Sequence, residues 1–119
     1  MTQTTQALGR HGEQLAVDFL TAAGMAIIDR NWRRRAGEID IIARDGDAIV
    51  FVEVKTRRGE GYGGPLAAVA PPKVARLRRL AGQWLASAGL SAAAIRIDVI
   101  GVLVRCGAPA TFNHVRGVG

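Results

Sequence analysis

The stretch Gly37-Glu38-Ile39-Asp40-Ile41-Ile42, followed after a turn by Val52-Glu53-Val54-Lys55, decides how this chain is read. It sets acidic residues and a lysine inside two segments that otherwise have the composition of core strands. An ion in an apolar strand costs several kcal/mol unless something compensates it, so charges at these positions imply a shared partner such as a metal.

Glu38 to Arg44 and Ala48 to Thr56 read as two strands joined by a hairpin turn at Asp45-Gly46-Asp47. Side chains alternate across a strand, which is expected to put Glu38 and Asp40 on one face and Glu53 and Lys55 on one face of the neighbour. The turn fixes the register approximately and brings Asp40 near Glu53. Two carboxylates so placed repel unless a cation intervenes. Mg²⁺, or Mn²⁺ in its place, suits such a site, since Mg²⁺ takes oxygen ligands, keeps several waters and needs only one or two protein carboxylates. Lys55 would then point at the same water or phosphate. The competing interpretation is a cross-strand salt bridge on a solvated sheet face, with Lys55 pairing Glu53 or Asp40. Glu38 is either a supporting group behind the site or the solvated end of its strand.

Outward from this pair, Leu8 to Ala23 carries apolar residues at helical spacing and stops at Gly24. Glu13 falls at the edge of the apolar stripe, whereas Asp18 lies on the polar side. Ala26 to Trp32 reads as a further strand. Pro71 and Pro72 open a second helix whose buried stripe is Leu77, Leu80, Ala81, Trp84, Leu85 and Ala88, ending at Gly89. Ile95 to Val104 is another strand, and Ala110 to Val115 is a short edge strand or a tail. The order α-β-β-β-α-β, with helices flanking a mixed sheet, belongs to the α/β (α+β) class.

The 119 residues, 49% of them hydrophobic, are enough for one domain and too few for two. Sixteen Lys and Arg against ten Asp and Glu give a net charge of +6 and a pI near 11.0. Such a balance favours polyanionic partners, nucleic acid first among them, although ribosome association or acidic lipid is also compatible. Cys106 is the sole cysteine, which excludes an internal disulfide and a cysteine-rich zinc site. The polar start and the lack of an apolar run near the ~20 residues that span a bilayer lead to an expected cytoplasmic protein with no membrane partner. Ser87 and Ser91 lie around the end of the second helix, and His11 and His114 lie near the termini. A Ser-His-Asp arrangement is therefore not expected.

Gly12-Glu13, Gly37-Glu38-Ile39-Asp40, Glu53-Val54-Lys55-Thr56 and Arg96-Ile97-Asp98-Val99 together resemble the YraN-like bacterial family. That family is placed in the PD-(D/E)XK nuclease superfamily and is related to archaeal Holliday-junction resolvases. The resemblance runs from about Gly9 to Val104 and implies a restriction-endonuclease-like core. It also implies a metal site of Asp40, Glu53 and the Val54 backbone carbonyl, with Lys55 as the lysine of the motif and Glu13 as a helix-borne acid able to join the ligands. Ile39 stands where the superfamily often has proline. Glu38, Thr56 and Asp98 are candidate supporting positions.

Arg33-Arg34-Arg35 and Arg57-Arg58 flank the proposed site in sequence, and Arg76, Arg79 and Gln83 form one polar strip of the second helix. Of these, Arg34, Arg57, Arg58, Arg76 and Arg79 are the candidates to track a phosphate backbone, against the ordinary alternative of a solvated surface. Trp32 and Trp84 read as core residues rather than base-stacking platforms. Gly59-Glu60-Gly61-Tyr62-Gly63-Gly64 matches a dinucleotide-binding pattern formally. Pro65 follows without a helix start, so a loop beside the site, or a plain connection, fits better. The expected function is a Mg²⁺-dependent endonuclease acting on DNA, with branched or structured DNA as a candidate substrate. The alternatives are a non-catalytic nucleic-acid-binding or repair-adaptor module and a structural protein. A homodimer and a repair-protein partner are left open.

Overall fold

A computed structural model describes residues 5–59 and 71–118. From Glu60 onward the glycine-rich run and Pro65 lie outside the described residues. Among these residues, two helices, α1 (Thr5–Ala22) and α2 (Pro71–Ala88), accompany five strands: β1 (Ala26–Arg34), β2 (Gly37–Asp45), β3 (Ala48–Arg58), β4 (Ala94–Val104) and β5 (Thr111–Val115). The strands form one mixed sheet in the order β1-β2-β3-β4-β5. All pairs are antiparallel except β3 with β4, which run parallel across the α2 connection. The fold is thus α+β and compatible with a restriction-endonuclease-like core.

Each helix covers one face of the sheet. On one side Ala16 and Leu20 of α1 pack with Ile41, Ala43, Val50, Val52, Ile100 and Val102. On the other, Leu77, Leu80, Ala81 and Trp84 of α2 pack with Ile39, Ile42, Ile49, Phe51 and Ile97. Both helices end as their sequences suggest, with Met25 N–H donating back to the Leu20 carbonyl (3.0 Å) and Leu90 N–H to that of Leu85 (3.1 Å). Trp84 is a core residue, edge-on to Phe51 at 5.9 Å, and its indole N–H donates to Asp29 at 3.2 Å. The tail option for the C-terminal segment is resolved in favour of an edge strand, because Thr111 to Val115 pairs with β4.

The β2–β3 hairpin is closed by Gly46-Asp47, with Asp45 paired to Ala48 and Gly46 at φ +60°. This tight two-residue turn sets the register that carries Ile41 opposite Val52. Beyond that pair the β2–β3 ladder stops, although β1–β2 pairing continues to Gly37 and β3–β4 pairing to Arg58. The sheet therefore opens into a fork between β2 and β3, and Asp40 stands at its crotch.

Strict alternation fails at the same level. Ile39 and Ile42 both belong to the α2 side although they are three residues apart, while Ile41 faces α1. The neighbouring strand shifts with it: Trp32, opposite Ile39, packs on the α2 side, and Arg30, opposite Ile41, reaches Gln14 of α1 (3.0 Å). Between them lies Asn31, the only non-glycine at positive φ among the described residues (+53°). A left-handed residue, which asparagine tolerates better than most, changes the phase of β1 where β2 changes its own.

Candidate active site

An open cavity of about 560 Å³ lies at the fork, lined by Glu13, Glu38, Asp40, Glu53, Val54, Lys55, Thr56, Arg57 and Lys73. The carboxylates and the lysine expected from the sequence thus gather in one place, by a route other than the one expected. Val52 and Val54 pack toward α1, so alternation sends Glu53 toward α2, where Lys73 meets it at 2.9 Å. Asp40 turns into the fork, and its Oδ2 accepts the Val54 N–H at 2.8 Å. In a strand, the N–H and C=O of one residue face the same neighbour, so the Val54 carbonyl also looks into the fork.

Glu13 approaches from α1, which lies close to β3 because Gly12 is buried against Thr56. A Cβ at position 12 would collide with the Thr56 side chain. Thr56 is in this sense a packing partner of the helix that carries Glu13. Glu13 is held by a hydrogen bond from the Asn31 side chain. Its carboxyl is nevertheless shifted up, first by burial and then by the nearby Glu38.

Asp40 is the most perturbed group of the cavity. Only 8% exposed, it is pushed up to about 7, mainly by burial and further by the charges of Glu13, Glu53 and Glu38. The Val54 N–H pulls the other way without offsetting them. Glu53 Oε2 is buried without a hydrogen-bond partner among the described residues. Glu38, half out in solvent, is paired to Arg33 at 2.7 Å and borders both this cavity and a second opening of about 400 Å³ lined by Arg33, Arg34 and Gly37.

The basic candidates border this end of the sheet to different degrees. Arg57 lines the cavity; Arg58 follows it on β3, and both are exposed. Arg76 lies over Gly37, near the second opening, and exposed Arg79 follows three positions along α2. Arg34 stacks on the Trp32 ring at 4.2 Å. Asp98 stands apart from the cavity. It is fully buried on β4 and accepts hydrogen bonds from Arg96 (2.9 and 3.0 Å) and Gly117 N–H (3.0 Å), with His114 at 2.7 Å. Burial alone would raise its carboxyl, but these partners hold it below the ordinary value.

The model of the Uncharacterised protein family UPF0102 matches residues 12–102. This chain belongs to that family. The UPF0102 span begins at the glycine packed on Thr56 and includes every carboxylate of the cavity, and it agrees with the YraN-like resemblance of the motifs. Among its relatives, a UPF0102 protein of Streptomyces griseus is 62% identical over 114 residues, 94% of this chain and 95% of that protein. One of Kineococcus radiotolerans is 55% identical over 113 residues, with 94% and 93% covered. One of Mycobacterium tuberculosis (strain H37Ra) is 54% identical over 123 residues, with 99% and 96% covered. No helix among the described residues is long and apolar enough to cross a membrane.

Three residues that shape the UPF0102 cavity, Lys73 in its lining and Asn31 and Gly12 behind Glu13, were not legible in that role. Asn31 had only the tolerance of asparagine for left-handed backbone as a signal. Lys73 sits in the first turn of a helix, where a cation opposes the helix dipole, a mild anomaly that could have marked it. Gly12 stood in the family motif, but its packing role became visible only with Thr56 against it.

Among the described residues no three His, Cys, Asp or Glu side chains converge tightly enough to hold an ion by themselves. A hard divalent cation that keeps several waters does not require three. Asp40, Glu53 with a buried oxygen that has no partner among the described residues, and the Val54 carbonyl are oxygen donors fit for such an ion, with Glu13 behind them.

Proposed function

We infer that this protein is a Mg²⁺- or Mn²⁺-dependent endonuclease that hydrolyses phosphodiester bonds of DNA, with branched or otherwise structured DNA as its substrate. The observation carrying this reading is a buried Asp40, raised to about 7, across a strand fork from a buried Glu53 oxygen with no partner among the described residues, with Lys55 on the same cavity. A chain that only binds nucleic acid gains nothing from four acids beside a phosphate.

Asp40, Glu53 and the Val54 carbonyl would hold the ion, and Glu13 would join them. When bound, a divalent cation neutralises phosphate charge and lowers the pKa of water. Lys55 has no ion pair among the described residues, which leaves its ammonium available to orient an attacking water or steady charge on phosphate oxygens. Glu38, engaged by Arg33, and Thr56, packed on Gly12, support the geometry from outside. Arg57, Arg58, Arg76, Arg79 and Arg34 would contact the backbone on either side of the cavity, fixing register without reading sequence.

The test is cleavage of single-stranded, duplex, flap and four-way DNA, with RNA counterparts, in Mg²⁺ or Mn²⁺. Metal-dependent cutting of the branched forms is expected, and binding without cutting under every condition would contradict it. One observation favours the second reading, a non-catalytic nucleic-acid-binding module: Glu53 is already paired to Lys73. In that case the arginines would act alone and no variant of Asp40 would alter binding.

A further inference from the structure

Glu53 is partnered, but not by the lysine two residues along its own strand. The Lys73 ammonium, from the first turn of α2, lies 2.9 Å from Glu53 Oε1. That position is unfavourable for a cation, because the amino end of a helix is its positive end and the first turn of α2 carries no acid to offset it. The pairing is also incomplete, since the second Glu53 oxygen is buried without a hydrogen-bond partner among the described residues. The two side chains differ in freedom: that of Glu53 is 13% exposed, that of Lys73 39%. A compact ammonium on a flexible stem at the rim of an open cavity can leave its partner, whereas the carboxylate cannot follow.

We propose that Lys73 is a displaceable counter-ion, neutralising Glu53 while no divalent cation is present and passing to a phosphate oxygen of the nucleic acid once a cation takes its place. This rests on the metal-dependent nucleic-acid reading of the cavity. Replacing one positive charge by two relieves the repulsion among Glu13, Glu38, Asp40 and Glu53. The released ammonium then stands on the same rim as Arg57, where a phosphate backbone would pass. Cation and nucleic acid become coupled: each favours the arrangement in which Lys73 is off Glu53, so each tightens the other by the same factor.

The experiment compares the full chain with Lys73→Gln and Lys73→Arg. Mn²⁺ affinity is measured by calorimetry, and binding of a four-way DNA by anisotropy over a series of salt concentrations, in Ca²⁺ and in EDTA. Lys73→Gln is expected to bind Mn²⁺ roughly fivefold more tightly, the size of a partly exposed charge interaction. In Ca²⁺ its salt slope for DNA falls by about one, the signature of one lost phosphate contact, and in EDTA the slope is unchanged. Lys73→Arg keeps the parent slope in both. Unchanged or weaker Mn²⁺ binding by Lys73→Gln overturns the proposal, as does an equal loss of slope in EDTA. A parent that binds Mn²⁺ but no nucleic acid overturns it while sparing the metal site. A parent that binds no divalent cation overturns the cavity reading as well.

Discussion

Asp40 and Asp98 are the two buried charged residues among those described, and their sequence settings, Ile39-Asp40-Ile41 and Ile97-Asp98-Val99, are nearly the same. Their chemistry is opposite. Asp98 is the more deeply buried, yet a guanidinium, an imidazole and a backbone N–H surround it and hold its carboxyl low. Asp40 has one N–H and three carboxylate neighbours, and it rises to about 7. Burial alone does not decide a carboxyl's state; the sign of what surrounds it does. Asp98 ties strand β4 to the C-terminal residues His114 and Gly117, whereas the acids around Asp40 repel one another and leave an electrostatic debt that a cation would settle.

The largest effect that would sharpen this contrast is loss of Asp98. Asp98→Ala strands the largely buried His114 and leaves Arg96 with Asp45 alone (3.1 Å), and it is expected to cost about 4 kcal/mol in urea denaturation, the scale of a broken buried pair. A cost below about 1 kcal/mol, the range of an exposed pair, would mean that the Asp98 network is not what secures the C-terminal strand.

The pH dependence separates the two residues by sign. Asp40 titrates near 7 in the folded chain and from 3.8 when unperturbed, so the folded state holds an extra proton between those values. Stability from this source is full below about pH 4 and is lost as the pH rises to 7. In EDTA, Asp40→Asn should remove that descent, about 3 kcal/mol between pH 4 and 7, as read from urea midpoints. Asp98, whose folded value lies below 3.8, contributes stability that is present above about pH 4 and lost as the pH falls further. Parallel curves for the parent and Asp40→Asn would show that Asp40 is not held protonated.

Smaller effects come from the frame. Gly12→Ala forces a methyl group into Thr56 and should cost about 2 kcal/mol, partly recovered by Thr56→Ala, as thermal unfolding would show. An unchanged midpoint would mean that α1 can lift away from β3 freely. Arg57→Ala, at an exposed position, should alter stability by less than about 0.5 kcal/mol, while lowering the salt slope of DNA binding by about one. A flat salt response in the parent would indicate a protein partner instead.

Much of the fold was legible because its signals are local. The Gly46 turn fixed the β2–β3 register, the stripe from Leu77 to Trp84 named the buried face of α2, and Pro71-Pro72 marked its start. The gathering of Glu13, Asp40, Glu53 and Lys55 was also legible, but its cause was not. Alternation predicts acids on one face, whereas the structure joins them across a fork, because the pleat changes phase at Asn31 and Asp40. No periodicity rule contains that step, since it depends on two strands shifting together. Lys73 was hidden for a related reason: it is twenty residues from Glu53 in sequence and reaches it only through the packing of α2 on the sheet. Asp98 was expected to support the site and instead belongs to a separate network, whose partners were out of reach because Gly117 and His114 return to it from the far end of the chain.

The central claim, that Asp40 and Glu53 form a divalent-cation site, is tested most directly by calorimetric Mn²⁺ titration of the parent, Asp40→Asn and Glu53→Gln at pH 7. Buffers of different ionisation heat report protons, and DNA cleavage is followed on the same samples. The parent should bind with release of about half a proton, drawn from an Asp40 that titrates near that pH. Both variants should lose binding and cutting together while remaining folded. An Asp40→Asn protein that binds Mn²⁺ and cuts like the parent would contradict the account and leave the acids of the fork without a metal to hold.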